Sequence, residues 1–174
     1  MIFGRLGRLW PIVVMGAGLC FVVPPFMSRG KRGLGALFIP GLPVLTTGAI
    51  LFLASVFNAW GIWEWLWPML IISLAMGFVF AAIYMRNIWL LIPAGIIVGN
   101  GLLFTFYAIT DWWRLWAILW PLEPLWIGSV VLFTLWLAGQ GDRGRQVARH
   151  LARTAIRPLA ITIPIVVVLG AIFG

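Results

Sequence analysis

Trp60-Gly61-Ile62-Trp63-Glu64-Trp65-Leu66-Trp67-Pro68 and Trp113-Arg114-Leu115-Trp116-Ala117-Ile118-Leu119-Trp120-Pro121 share one spacing, Trp-x-x-Trp-x-x-x-Trp-Pro. A weaker copy, Phe3-x-x-Leu6-x-x-x-Trp10-Pro11, opens the chain. In a helix these positions fall on one side of two turns, so each copy lays large aromatic rings along a single face. Tryptophan has an apolar ring and an N–H that wants a polar partner, and it gathers at headgroup depth in membrane proteins. The proline after each copy suits the first turn of a new helix, where its missing N–H breaks no bond. The stretch therefore predicts an interfacial anchor followed by a membrane crossing: Trp60, Trp63 and Trp67 in one copy, Trp113, Trp116 and Trp120 in the other.

Composition points the same way. Apolar residues make up 63% of the chain and charged residues 9%, and the mean hydropathy is +1.09. Soluble domains hold roughly 45–50% apolar and about 25% charged residues. At ~20 residues per helical crossing, the 174 residues leave room for spans and for no soluble domain. In a membrane protein the net charge of +8 reads as topology and lipid contact, and no nucleic-acid partner is expected. Cys20 is the single cysteine, which excludes an internal disulfide.

Apolar runs at about 9–27, 36–57, 67–85, 88–108, 119–138 and 158–173 predict six transmembrane helices. The first run follows Arg5 and Arg8 as in a signal peptide. It ends in Pro24-Pro25-Phe26 without a small-x-small cleavage site, so a retained helix is expected. Pro40 and Pro93 are 53 residues apart, as are Trp60 and Trp113. The fold class expected is thus an all-α integral membrane protein whose six transmembrane helices form three parallel repeats of a two-helix hairpin. The whole of 1–174 is one membrane domain, with repeat units at about 3–58, 60–111 and 113–174 and a basic cytoplasmic insertion at 139–157.

Lys and Arg set the orientation. Arg29, Lys31, Arg32, Arg86, Arg143, Arg145, Arg149, Arg153 and Arg157 fall on one side of such a bundle, and Arg5, Arg8 and Arg114 on the other. The positive-inside rule puts the larger group in the cytoplasm and both termini outside. Arg5 and Arg8, beside the first helix, oppose this assignment.

Few residues offer chemistry. Arg145, Arg149, Arg153 and Arg157 repeat every four residues along 141–157. They form a stripe that either holds anionic headgroups or an acidic partner, or serves only as a topology signal. Glu123, just after Pro121, reads as a carboxylate in the first turn of a helix, where it complements the free N–H groups; an intramembrane proton or cation role is the alternative. Asn100 either bonds a neighbouring helix or ligates a pigment or ion. Asn58 and Asn87 fall at span ends, where they cap or turn the chain. Gly16 with Gly18, and Gly95 with Gly99, offer small faces for close helix approach. His150 is the only histidine, which excludes a haem held by two histidines of this chain and leaves zinc without companions. No catalytic set, metal site or cofactor is expected, so the chain reads as non-enzymatic.

Leu9-Trp10-Pro11-Ile12-Val13-Val14-Met15-Gly16 and Leu66-Trp67-Pro68-Met69-Leu70-Ile71-Ile72 resemble the repeated transmembrane modules of bacterial cell-envelope stress proteins of the Lia type, over residues 9–138. The resemblance implies a multi-pass protein of the bacterial cell (inner) membrane that modulates or scaffolds an envelope process. Its partners would be membrane lipids, anionic ones among them, and other membrane proteins or a second copy of itself. The chain departs from the sensor and inhibitor members in carrying no extramembrane domain. Two readings stand beside this one: an accessory subunit of a respiratory or photosynthetic membrane complex, and a small transporter or channel.

Overall fold

A proline at the first helical position loses no hydrogen bond and brings a helical φ with it; Pro11 and Pro68 each begin a helix. The computed structural model describes residues 7–28, 31–113 and 123–139. Among these every regular element is helical: α1 (Pro11–Met27), α2 (Phe38–Val56), the short α3 (Trp63–Leu66), α4 (Pro68–Met85), α5 (Leu91–Thr110) and α6 (Glu123–Leu137). Turns of 3-10 helix at Gly7–Leu9, Arg32–Leu37, Trp60–Ile62 and Ile88–Leu90 precede α1, α2, α3 and α5.

Three segments, Arg32–Val56, Pro68–Met85 and Ile88–Thr110, are long and apolar enough to cross a membrane. The runs at 9–27 and 119–138 give shorter apolar helices, α1 with 17 residues and α6 with 15. In α1, Pro24 and Pro25 deprive the last turns of two N–H donors, and the helix stops soon after. The described part of α6 begins at Glu123. The sixth expected span, 158–173, and the basic segment 141–157 lie outside the described residues. The chain divides into two compact units, Met1–Thr110 and Asp111–Gly174; α1 to α5 belong to the first and α6 to the second.

Small residues set the spacing in the first unit. A Cβ on Gly18 would stand 2.7 Å from Leu45 N, and one on Gly48 would stand 2.7 Å from Met15 N. Partner numbers fall along α2 as they rise along α1, so the two helices are antiparallel. Likewise Gly101 abuts Ile72, with 2.8 Å between its Cβ position and Cγ1, and the Trp67 and Phe104 rings meet at 5.3 Å; α4 and α5 are antiparallel too. The start of α2 lies against the middle of α4, where a Cβ on Gly77 would be 2.7 Å from Phe38 O. Close approach at small residues favours dispersion between backbones, the main source of helix association where no water remains to be expelled. Gly16 has no atom within 4 Å of its Cβ position. It is about 200° round α1 from Gly18 and so points away from α2.

At the end of the unit where α2 starts and α4 stops, Phe38 sets its ring edge-on to Phe26 and Tyr84, at 5.4 and 5.9 Å. The Tyr84 hydroxyl hydrogen-bonds to Pro25 O and lies 3.2 Å from Ser28 O, tying the last turn of α1 to α4. Tyr84→Phe should therefore lower stability by about 1 kcal/mol. It should also speed hydrogen exchange at Met27 and Ser28 while leaving the middle of α4 protected. Unchanged exchange at 27–28 would mean that the hydroxyl does not hold the α1 terminus.

Candidate functional site

Up-and-down packing collects the turns into two ends of unlike character. Ser55 Oγ donates to Arg8 O at 2.8 Å, which ties the segment before α1 to the last turn of α2. The Trp-rich turn between α2 and α4 belongs to this same end, with Arg8 and Glu64 as its charges among the described residues of the first unit. α2 is closed by Asn58 at φ 52, with Ala59 N donating to Ala54 O at 2.9 Å, a left-handed cap that asparagine tolerates well.

The tryptophans are unequal. Trp60 is 49% exposed and Trp65, outside the shared spacing, is 61% exposed. Trp63 is half-buried, and half-buried Trp67 packs on Phe104. Gly61, Ile62, Trp65 and Leu66 line a shallow apolar depression of about 430 Å³. In the second unit Trp113 is exposed, while Trp116 and Trp120 lie outside the described residues.

The other end carries Lys31, Arg32 and Arg86, all exposed, and no acid among its described residues. Arg86 closes α4 in the left-handed region at φ 54, with Asn87 N donating to Ala82 O at 3.0 Å. A side chain there costs on the order of 1 kcal/mol. Its positive charge at a helix C-terminus offsets part of that cost. Asn87 Oδ1 accepts from Trp89 N at 3.2 Å and so caps the turn into α5, the role its sequence position suggested.

Of the remaining candidates, Glu123 stands in the first turn of α6, and Asn100 Nδ2 donates back to Ile96 O at 3.2 Å. Thr47, Thr105 and Thr134 donate to the carbonyls four residues earlier, Pro43 O, Gly101 O and Val130 O, at 2.8, 2.7 and 2.9 Å. Ser73 reaches Leu70 O at 2.8 Å. Hydroxyls turned back on their own helix satisfy themselves locally. Among the described residues no group of three His, Cys, Asp or Glu could hold a metal ion. Arg145, Arg149, Arg153, Arg157 and His150 lie outside the described residues.

Sequence reasoning passed over Tyr84 and Trp65. The signal for Tyr84 was available: a tyrosine two residues before a basic turn, at a depth where its hydroxyl needs a partner. Trp65 escaped because it breaks the shared spacing. No family model, curated protein or solved structure matches this chain.

Proposed function

We propose that this chain is a multi-pass protein of the bacterial cell membrane that serves as a small envelope module of scaffolding or modulating role, without catalytic chemistry. The observation that carries the reading is the inversion of inside and outside in α4 and α5. Ala75, Ala81, Ala82, Ala94 and Gly101 are buried, whereas Met76, Ile83, Leu102 and Ile109 are 43%, 68%, 56% and 64% exposed. Small residues between helices and large apolar ones around them suit lipid as the surroundings. In water the same surface would cost roughly 25 cal/mol for each Å² left uncovered.

Equivalent positions in the two hairpins support the repeat. Met15 and Ile72 are 57 residues apart, and so are Trp10 and Trp67, while Gly48 and Gly101 are 53 apart, as are Asn58 and Asp111. Gly48 abuts Met15 as Gly101 abuts Ile72. Val13 N donates to Trp10 O as Leu70 N does to Trp67 O, both at 3.0 Å. Asn58 and Asp111 share a positive φ, 52 and 57. The four-residue difference in offset falls in the turn between the helices, which is longer in the first hairpin. The third unit and the cytoplasmic assignment of 28–35 and 139–157 extend this pattern by sequence.

The Leu-Trp-Pro helix starts favour a module like those of the Lia type. Purification of the full chain from native membranes in mild detergent tests the role. The chain is expected to emerge alone, as copies of itself, or with substoichiometric envelope proteins. A fixed stoichiometric complex with respiratory or photosynthetic subunits would replace this reading with an accessory-subunit role.

A further inference from the structure

Lys31, Arg32 and Arg86 come from turns more than 50 residues apart in sequence, yet the fold draws those turns together. A 3-10 helix has about three residues per turn, so Arg32 lies over Gly35 on one face of the turn Arg32–Leu37. That face meets α4: a Cβ on Gly35 would stand 2.8 Å from Met85 Cγ and 3.0 Å from Tyr84 Cδ1. Arg86 follows Met85 directly, and the Tyr84 hydroxyl holds the chain at Pro25 and Ser28 just before Lys31.

A topology signal requires only that basic residues lie near one face of the membrane. Nothing in that role calls for two basic turns packed on each other, where the charges repel. The starts of α2 and α5 fall at this end as well, each adding the positive pole of its helix dipole. The nearest acids in sequence, Glu64 and Asp111, follow the far ends of α2 and α5. Below Arg86, Met76, Phe80 and Ile83 lie three or four residues apart on α4 and are 43%, 40% and 68% exposed. They form an apolar track leading away from the charges. Trp89, 45% exposed, stands at the same end with the amphipathic ring suited to headgroup depth.

We propose that Lys31, Arg32 and Arg86 bind the phosphate of an anionic phospholipid, whose acyl chain lies along Met76, Phe80 and Ile83. Two guanidinium groups from different turns give the forked, charge-assisted contacts that phosphate accepts. The site uses none of the arginines of the Arg145–Arg157 stripe, and it rests on the membrane reading above.

The test begins with the full chain reconstituted in vesicles of equal phosphatidylcholine and phosphatidylglycerol. Resistance to carbonate extraction first establishes insertion; a chain that washes off contradicts the membrane reading itself. Inserted protein is then taken into mild detergent and its co-extracted lipid measured by mass spectrometry. The native chain should retain phosphatidylglycerol about tenfold or more over phosphatidylcholine, and R32Q/R86Q should bring that ratio close to one. R32G/G33R keeps the basic count that sets topology while turning the cation away from α4; Gly33 has no atom within 4 Å of its Cβ position, so the new side chain has room. It should lose a large part of the preference too. An inserted native chain with no preference, or both variants retaining phosphatidylglycerol as the native chain does, would overturn the proposal.

Discussion

Gly48→Leu and Gly101→Leu are each expected to break their own hairpin. The Cβ position of Gly48 lies 2.7 Å from both Met15 N and Met15 Cγ, and that of Gly101 lies 2.8 Å from Ile72 Cγ1. At Gly48 the obstacle includes backbone, so α1 and α2 must separate before any branched side chain fits. Overpacking of this kind costs typically about 1–3 kcal/mol for small additions and more for a whole leucine. A loss of about 3 kcal/mol lowers the folded-to-unfolded ratio by more than a hundredfold. Gly16→Leu serves as the control. Its Cβ position is open, and leucine is the better helix former by roughly 0.8 kcal/mol. Unfolding in mixed detergent micelles should show both packed-glycine variants collapsing early and Gly16→Leu matching or exceeding the native protein. Equal stability of Gly48→Leu and Gly16→Leu would contradict the hairpin register.

The second large effect concerns the seam between hairpins. A Cβ on Gly77 would stand 2.7 Å from Phe38 O and 2.9 Å from Ile39 Cα, both backbone atoms that cannot swing aside. Pro43 has no N–H to give to Ile39 O, four residues earlier. The α4 backbone therefore approaches α2 where a helical bond is missing. Co-expressed fragments 1–58 and 60–174, divided in the turn between α2 and α3, should co-purify when Gly77 is present. Gly77→Leu should separate them while each fragment remains in the membrane. Continued co-purification of the variant fragments would mean that the hairpins are held elsewhere.

Much of this architecture was legible in the residues. Trp10-Pro11 and Trp67-Pro68 each announce a helix start, and among the described residues the apolar runs bound the helices to within a few residues. Facing was harder to read. A helix that meets the core with one side only betrays that side by its polar remainder, but α2, α4 and α5 are apolar all round and carry no such contrast. Gly16 and Gly18 look alike in sequence, yet only Gly18 meets Leu45. For the same reason the shared Trp spacing could not separate Trp67, which packs on Phe104, from the exposed Trp60. The pairing of the Arg32 turn with Arg86 was hidden as well, since charge counting assigns residues to a side of the membrane and says nothing of which turns touch.

On the membrane reading proposed above, α2 crosses with its basic end in the cytoplasm and its Trp-rich end outside. Cysteine accessibility in spheroplasts tests it most directly, after Cys20→Ala removes the native thiol. Gly33 and Gly61 flank α2 at its two ends, and neither has an atom within 4 Å of its Cβ position, so a cysteine fits at both. With a membrane-impermeant maleimide, Gly61→Cys should label in intact spheroplasts, and Gly33→Cys only after the membrane is opened. Labelling of both from one side would show that α2 does not cross; the reverse pattern would show that it crosses the other way.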